Sequence, residues 1–169
     1  MKILIKLIIR NYNGGPGVNV HYDNKKLFGK IFTTAGPHTI ELWIDNFKTP
    51  GSLVIEMFNK NMKYDTLLDG KKNIIDDKAC YITEVCFGDI SLTDELFLFN
   101  FIRNNGIVIS NNVYMGFNGK FVIDINDNNI HRWYDGLQKY LITNSEQYDY
   151  EKFKTEIFGV NKDNFVVKY

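Results

Sequence analysis

The sequence predicts a mainly β protein, an antiparallel β-sandwich or jelly roll with one or two C-terminal helices. Three observations predict it. Apolar and polar residues alternate with period two through most of the first two thirds of the chain, Gly, Pro, Asn and Asp residues separate these segments, and helical spacing of apolar residues begins only near residue 130. Short strands joined by such turns are typical of sandwiches and jelly rolls.

The predicted strands begin at the first residues of the sequence. Ile3, Ile5, Leu7 and Ile9 form one face of a first strand, and we expect a strand instead of a signal peptide because Lys6 interrupts the apolar run. The next predicted strands are 18–22, 27–32, 38–45, 53–58 and 80–87. The turns between the earlier strands fall at 13–17, 23–24, 35–37 and 50–51.

The last third of the chain has a different pattern. The pair Asn118-Gly119 predicts a hairpin over residues 113–123. An amphipathic helix follows, with Asn128 or Asn129 as its N-cap, and Gly136 weakens it by about 1 kcal/mol. The apolar residues of this helix are Ile130, Trp133, Tyr134, Leu137, Tyr140 and Leu141.

A second short helix is predicted near 148–158 and a final strand at 164–169. The sequence therefore predicts a β-sandwich domain over residues 1–110. Residues 111–169 are predicted to form a C-terminal region of one hairpin and helices, packed on or projecting from the sandwich.

The composition excludes several classes of function. Twenty basic residues balance twenty acidic ones, which argues against a nucleic-acid binder and a polybasic membrane-surface protein. No apolar stretch approaches the roughly 20 residues of a membrane span. Cys80 and Cys86 on one strand would lie about 20 Å apart, so we expect free thiols and synthesis in a reducing compartment.

Catalytic motifs are not found in the sequence. His21, His38 and His131 lie in separate predicted elements, and none has a metal-ligand spacing. The glycines at 14–17 resemble a phosphate-binding loop, but no Lys-Ser/Thr follows them. We therefore expect a protein that is not an enzyme.

The polar stretch 59–78 is a candidate calcium site. Calcium takes six to eight oxygen ligands, and Asp65, Asp69, Asp76 and Asp77, together with Asn side chains, offer several. The spacing is not that of an EF-hand. The alternative is a set of solvated turn residues, which Asp and Asn commonly form between strands.

Trp43 is the main candidate for ligand or partner contact. It shares a strand face with Glu41 and Asp45, opposite the aliphatic face, so the sequence predicts partial exposure. An exposed Trp beside carboxylates can stack on a sugar ring or anchor a protein interface. The alternative is a Trp covered by the helix that contains Trp133. Further candidates for such contacts are Tyr64, Trp133 and Tyr134.

One part of the chain resembles a known family. The segments 39–44, 53–60, 65–66, 76–79 and 81–90 together resemble a small sandwich of the calcium-dependent xylan-binding type, and similar modules occur in structural proteins of tailed bacteriophages. The later 114–119 segment and the Trp133 helix are similar to the tails that follow such modules in phage virion proteins. The resemblance covers roughly residues 18 to 140.

The resemblance implies a structural protein of a phage particle, a capsid decoration, neck, tail or baseplate component. Such a protein would be made in the bacterial cytoplasm and would dock in many copies on other virion proteins. Its C-terminal aromatics would serve as anchors. The alternative is a carbohydrate-binding module that attaches to host surface glycans, with or without calcium bound through loop acids.

Overall fold

The computed structural model describes residues 1–144. The predicted second helix and the predicted final strand lie outside these residues. The described strands are β1 Lys2–Arg10, β2 Gly17–Tyr22, β3 Lys25–Ile31, β4 Gly36–Trp43, β5 Gly51–Phe58, β6 Thr66–Leu68, β7 Ile74–Asp77, β8 Ala79–Phe87, β9 Ile90–Leu92, β10 Asn100–Arg103, β11 Val108–Ser110, β12 Tyr114–Met115 and β13 Gly119–Ile125. A 3₁₀ turn spans Asp94–Leu98, and helix α1 spans Ile130–Thr143.

Two antiparallel sheets form the body of the molecule. The first has the order β12-β8-β1-β4, with β9 also paired to β8, and the second has the order β11-β10-β13-β5-β2-β3. A separate two-stranded ribbon, β6-β7, lies in the loop between β5 and β8. The predicted mainly β, antiparallel sandwich with a C-terminal helix is confirmed.

The alternating pattern of β1 places its apolar residues in the core. Ile3, Ile5, Leu7 and Ile9 are at most 1% exposed. Full burial of each such side chain contributes about 1.5–3 kcal/mol relative to an exposed one. Because β1 lies between β8 and β4, its inward face helps to fill the space between the sheets. The N-terminal strand is therefore central to the core.

The 113–123 hairpin prediction is wrong. Met115 of β12 pairs with Cys80 in the first sheet, whereas Gly119 of β13 pairs with Met57 and Arg103 in the second. The physical reason lies in Asn118, whose side chain accepts from the Lys60 backbone N–H at 2.9 Å and donates to the Lys60 carbonyl at 2.8 Å. These two hydrogen bonds stabilise a connection that crosses from the first sheet to the second, where the sequence predicted a two-residue turn.

Helix α1 has the predicted position and cap. The Asn129 side chain accepts hydrogen bonds from the backbone of His131 and Arg132. Trp133 is only 4% exposed, and its ring meets Phe87 edge-on with centroids 6.1 Å apart. The helix therefore packs on the sandwich through Trp133. In the part of the chain that the structure describes, no helix is long and apolar enough to cross a membrane.

The predicted boundary at residue 110 stays a prediction. Strand β13, which belongs to the predicted C-terminal region, lies between β10 and β5 of the second sheet. Residues on both sides of the boundary thus share one core, since Phe121 and Ile123 are fully buried together with Leu53 and Ile55.

Candidate functional site at Trp43

Trp43 is the last residue of β4, the edge strand of the first sheet. Ile40 and Leu42 point into the core, and Trp43 points outward with 68% of its surface exposed. The predicted alternation is confirmed, and among residues 1–144 no helix covers the ring. Lys2 lies opposite Trp43 in the β1–β4 register, with its ammonium nitrogen 5.8 Å from the ring centroid.

Glu41 stands on the same outer face as Trp43. Its carboxylate forms an ion pair with Lys2 at 2.9 Å, and both side chains are largely exposed. The hydrogen bond from Lys2 holds the pKa of Glu41 below its usual range, and a further hydrogen bond from Trp43 acts in the same direction. The ring is therefore flanked by an ion pair, which contributes little to stability at such an exposed position.

A small pocket opens beside Trp43, with a volume of about 270 Å³. It lies where the edge of β4, the turn between β2 and β3, and the 44–50 loop meet. That turn has the left-handed backbone of a two-residue hairpin, with φ of 46° at Asp23 and 65° at Asn24. The side chains around the pocket are those of Tyr22, Asp23, Lys25, Leu27, Trp43, Ile44, Asp45, Asn46 and Lys48.

Tyr22 holds the pocket in shape. It is 5% exposed, its ring packs 5.0 Å from that of Phe47, and its hydroxyl donates to the Lys48 carbonyl. Burial raises the pKa of Tyr22 to about 12. The hydroxyl thus stays a neutral donor that fixes the 44–50 loop against the second sheet.

Several polar groups of the pocket are available to a ligand. Within residues 1–144, the side chains of Asp45, Asn46, Lys25 and Lys48 have no hydrogen-bond or ion-pair partner, whereas Asp23 accepts from the Ser52 backbone at 2.9 Å. An exposed aromatic face beside unpaired donors and acceptors is suited to a ligand with one apolar face and many hydroxyl groups.

The other predicted contact residues do not join this surface. Tyr64 is 57% exposed in the 59–78 loop, with the Lys63 ammonium 5.2 Å from its ring centroid. Trp133 packs in the core, so its predicted role as a surface contact is replaced by a packing role. Tyr134 is partly buried and accepts a hydrogen bond from Gln138 at 3.0 Å. Of the other four, only Glu41 shares a surface with Trp43.

The four predicted calcium-binding aspartates do not converge on one metal site. Asp65 and Asp77 are buried and paired with Lys78 and Lys60. Asp76 pairs with Arg10 at 3.0 Å. Within the described residues, no group of three or more His, Cys, Asp or Glu side chains is arranged to hold a metal ion.

Asp69 stabilises a turn. Its carboxylate accepts from the backbones of Lys71 and Asn73, each at 2.8 Å, and from the Asn73 side chain. These bonds keep the pKa of Asp69 below its usual range, the Asn73 side chain being the main cause. This is the solvated turn residue that the sequence analysis held as the alternative to a calcium ligand.

Sequence reasoning missed Tyr22, Asn46, Lys60 and Lys78. Tyr22 and Asn46 belong to segments that meet Trp43 only in the folded sandwich. Lys60 and Lys78 border the polar stretch that was analysed for its carboxylates. Two lysines at the ends of an Asp-rich loop were the available signal for internal ion pairs.

A second, larger groove of about 650 Å³ lies between α1 and the outer face of β10 and β13. Three of its polar side chains, Arg132, Asp127 and Trp133, are already engaged. Arg132 donates two hydrogen bonds to Asp127, at 2.7 and 2.6 Å, and the Trp133 indole donates to the Asp124 carbonyl at 3.1 Å. The Trp43 pocket offers more unpaired groups to a ligand.

Comparison with known proteins gives fold similarity only. No protein-family model and no curated protein matches the sequence. The structure is similar to that of vCBM60 in complex with galactobiose, with a TM-score of 0.50, 14% identity, and coverage of 73% of this chain and 98% of that one. A second similar structure is the selenomethionine form of vCBM60, from work on a circular permutation linking two families of calcium-dependent carbohydrate binding modules. Its TM-score is 0.47 at 13% identity, over 73% of this chain and 89% of that one.

The first of these two similarities confirms the fold part of the predicted resemblance. The chain has the β-sandwich fold of a carbohydrate-binding module.

Proposed function

We propose that this chain is a non-catalytic carbohydrate-binding module that holds a glycan against Trp43. The observation that carries the proposal is the 68% exposed indole beside a pocket in which, within residues 1–144, the side chains of Lys25, Asp45, Asn46 and Lys48 are unpaired. An exposed indole offers a flat apolar face on which a sugar ring can stack. The fold shared with a module solved with galactobiose supports a sugar as that partner.

The pocket favours an uncharged glycan. Two carboxylates, Asp23 and Asp45, and two ammonium groups, Lys25 and Lys48, line it, so their formal charges cancel. The apolar face of a sugar ring would lie on Trp43, and its hydroxyls would bond to Asp45, Asn46 and Lys48. A pocket of about 270 Å³ is slightly below the roughly 300–1,000 Å³ of drug-sized sites, which suits one sugar ring with the rest of the chain outside.

Calorimetric titration with galactobiose and a broad panel of neutral oligosaccharides tests the proposal. We expect at least one saturable interaction in the unaltered protein and its loss in Trp43→Ala. Tyr64→Ala is the matched control, because Tyr64 is also an exposed aromatic residue with a lysine over its ring. No binding across the panel, or equal binding by Trp43→Ala, would refute the assignment.

A second candidate is a structural protein that docks on other proteins, such as a component of a phage particle made in bacterial cytoplasm. One observation favours it. The 59–78 loop exposes several apolar side chains, between 38% and 57% of each, namely Met62, Tyr64, Leu67, Leu68 and Ile75. Exposed apolar groups concentrated in one segment are typical of protein interaction sites.

Sedimentation velocity and cross-linking distinguish this candidate from the first. A docking protein is expected to self-associate, or to cross-link to particle proteins through the 59–78 loop. Leu68→Asp with Ile75→Asp should then abolish the association and leave glycan titration unchanged. A monomer at all concentrations, with no cross-linked partner in purified particles, would count against docking.

A further inference from the structure

Two lysines and two aspartates are buried together at the base of the 59–78 loop. The side chains of Lys60 and Asp77 are 1% and 2% exposed, and those of Lys78 and Asp65 are 7% and 5% exposed. Charged side chains are almost never buried this deeply unless they are paired. We call these four residues the buried charge cluster.

The first pair joins Lys60 to Asp77. The Lys60 ammonium and the Thr66 hydroxyl both donate to one carboxylate oxygen of Asp77, the latter at 2.7 Å, and the Tyr114 hydroxyl donates to the other oxygen. Burial lowers the pKa of Lys60, and the hydrogen bond to Asp77 opposes that effect. The negative charges of Asp77 and Asp65 oppose it as well, so both acids act on this ammonium.

The second pair joins Lys78 to Asp65. Their charged groups are 2.7 Å apart, and Lys78 also donates to the Asn59 carbonyl at 3.2 Å. Asp65 accepts further bonds from the Asn61 backbone at 2.7 Å and the Asn13 side chain at 3.1 Å. Burial opposes ionisation of Asp65, but these bonds outweigh it and place its pKa below the usual range.

The cluster ties the loop to both sheets. Lys60 follows β5 of the second sheet, Lys78 precedes β8 of the first sheet, and Tyr114 belongs to β12. Asn13 adds the loop between β1 and β2. Such cross-linking of a long loop by an internal cation is the task that a bound calcium ion performs in many proteins.

A divalent cation does not fit this site as it is built. Two ammonium groups already neutralise the two carboxylates, so a calcium ion would add two uncompensated buried charges. Each carboxylate already accepts three hydrogen bonds, out of roughly four positions that its oxygens offer. Calcium would need six to eight oxygens, and it would have to displace both lysines to reach these.

We propose that Lys60 and Lys78 replace a bound cation in this chain, so that the 59–78 loop is held in place without calcium. The proposal does not depend on glycan binding at Trp43. It assigns to two lysines the role that the resemblance to calcium-dependent modules implies for a metal ion.

Thermal unfolding of the full chain, in EDTA and in millimolar calcium chloride, tests the proposal. The unaltered protein should have the same unfolding midpoint in both. Lys60→Met with Lys78→Met keeps the apolar stems and removes the ammonium groups, leaving two unbalanced carboxylates. This variant should unfold at a lower temperature in EDTA, and calcium should raise its midpoint.

Two control variants test whether the calcium response comes from the buried charge cluster. Lys6→Met removes an ammonium from an exposed ion pair, and it should not make the midpoint calcium-dependent. Lys78→Met with Asp65→Asn removes one charge of each sign, and it should respond to calcium less than the double Met variant. Should the double Met variant not fold, direct calcium titration of the unaltered protein decides. Calcium binding or calcium stabilisation of the unaltered protein would overturn the proposal, as would a folded double Met variant that calcium leaves unchanged.

Discussion

At the scale of single residues, Trp43 shows what strand periodicity can predict. Successive side chains of a strand point to opposite faces, so buried Ile40 and Leu42 force Trp43 outward. Exposure of the ring was therefore predictable from the sequence. Its surroundings were not, because Tyr22 and Asn46 reach the pocket through the packing of two sheets.

Truncation of the two tryptophans should change the free energy of unfolding by very different amounts. Trp43→Ala removes an exposed ring, and we expect its effect on the free energy of unfolding to be within about 0.5 kcal/mol. Trp133→Ala removes a ring that is 4% exposed in the core, and we expect a loss of about 3–5 kcal/mol. Urea denaturation of both variants measures the difference. A large loss from Trp43→Ala would mean that the ring is structural.

Glu84 should contribute to stability in a defined pH range. The hydrogen bond from Lys6 is the main cause that lowers the pKa of Glu84 from 4.5 to about 2, and the Ser91 hydroxyl adds another at 2.7 Å. A lowered folded-state pKa stabilises the fold above the unfolded-state value. That stabilisation is lost as the pH falls from about 4.5 towards 2.

Glu84→Gln should therefore lose less stability than the unaltered protein on acidification through this range. Urea midpoints measured at a series of pH values check it. Since Lys6 is half exposed, high salt should reduce the difference. Parallel acid profiles for the two proteins would show that Glu84 has an ordinary pKa.

At the scale of elements, local patterns predicted strands and the helix better than they predicted pairing. The alternation in β1 and β4 was sufficient because one face of each is buried, and Asn129 marked the start of α1. The 113–123 segment failed because Asn-Gly is a local signal, whereas the Asn118 side chain binds Lys60, far away in sequence. Which strands neighbour each other depends on such distant contacts.

The pairing of β13 with β10 predicts that substitution of Gly119 destabilises the fold. A methyl group on Gly119 would lie 2.5 Å from the Ile102 carbonyl oxygen and 2.8 Å from the Phe101 ring. Gly119→Ala should therefore destabilise the fold by about 1–3 kcal/mol or more, as overpacking does. Gly70→Ala is the control, since nothing lies within 4 Å of the added carbon. Equal unfolding midpoints for the two variants would contradict this register.

Substitution of Gly136 should instead stabilise the fold. It lies inside α1, and an added methyl group would meet no atom within 4 Å. Gly136→Ala should raise the free energy of unfolding by about 0.5–1 kcal/mol, because Ala favours the helix. Thermal unfolding measures the gain. A loss of stability would mean that the groove beside α1 has no room for the methyl group.

At the scale of the whole molecule, the sandwich brings together charges that the sequence leaves apart. The number of side-chain oxygens in the Asp-rich stretch 59–78 predicted a cation site. The fold instead places Lys60 against Asp77 and Lys78 against Asp65. Local counting identified the acidic residues, but their partners depend on how the loop closes over the two sheets.

The whole fold also determines where a ligand can bind. The two sheets bury their inner faces in one core and leave Trp43 at an open edge, beside the turn of the second sheet. That arrangement leaves the edge at Trp43 open to the proposed glycan.

The most direct measurement is fluorescence titration of the Trp133→Phe variant, in which Trp43 is the remaining tryptophan. Phe keeps an aromatic ring in the core, so the emission reports the surface site. We expect a saturable change in emission with galactobiose or another neutral oligosaccharide, unaffected by EDTA. Unchanged emission across a broad glycan panel would contradict the claim.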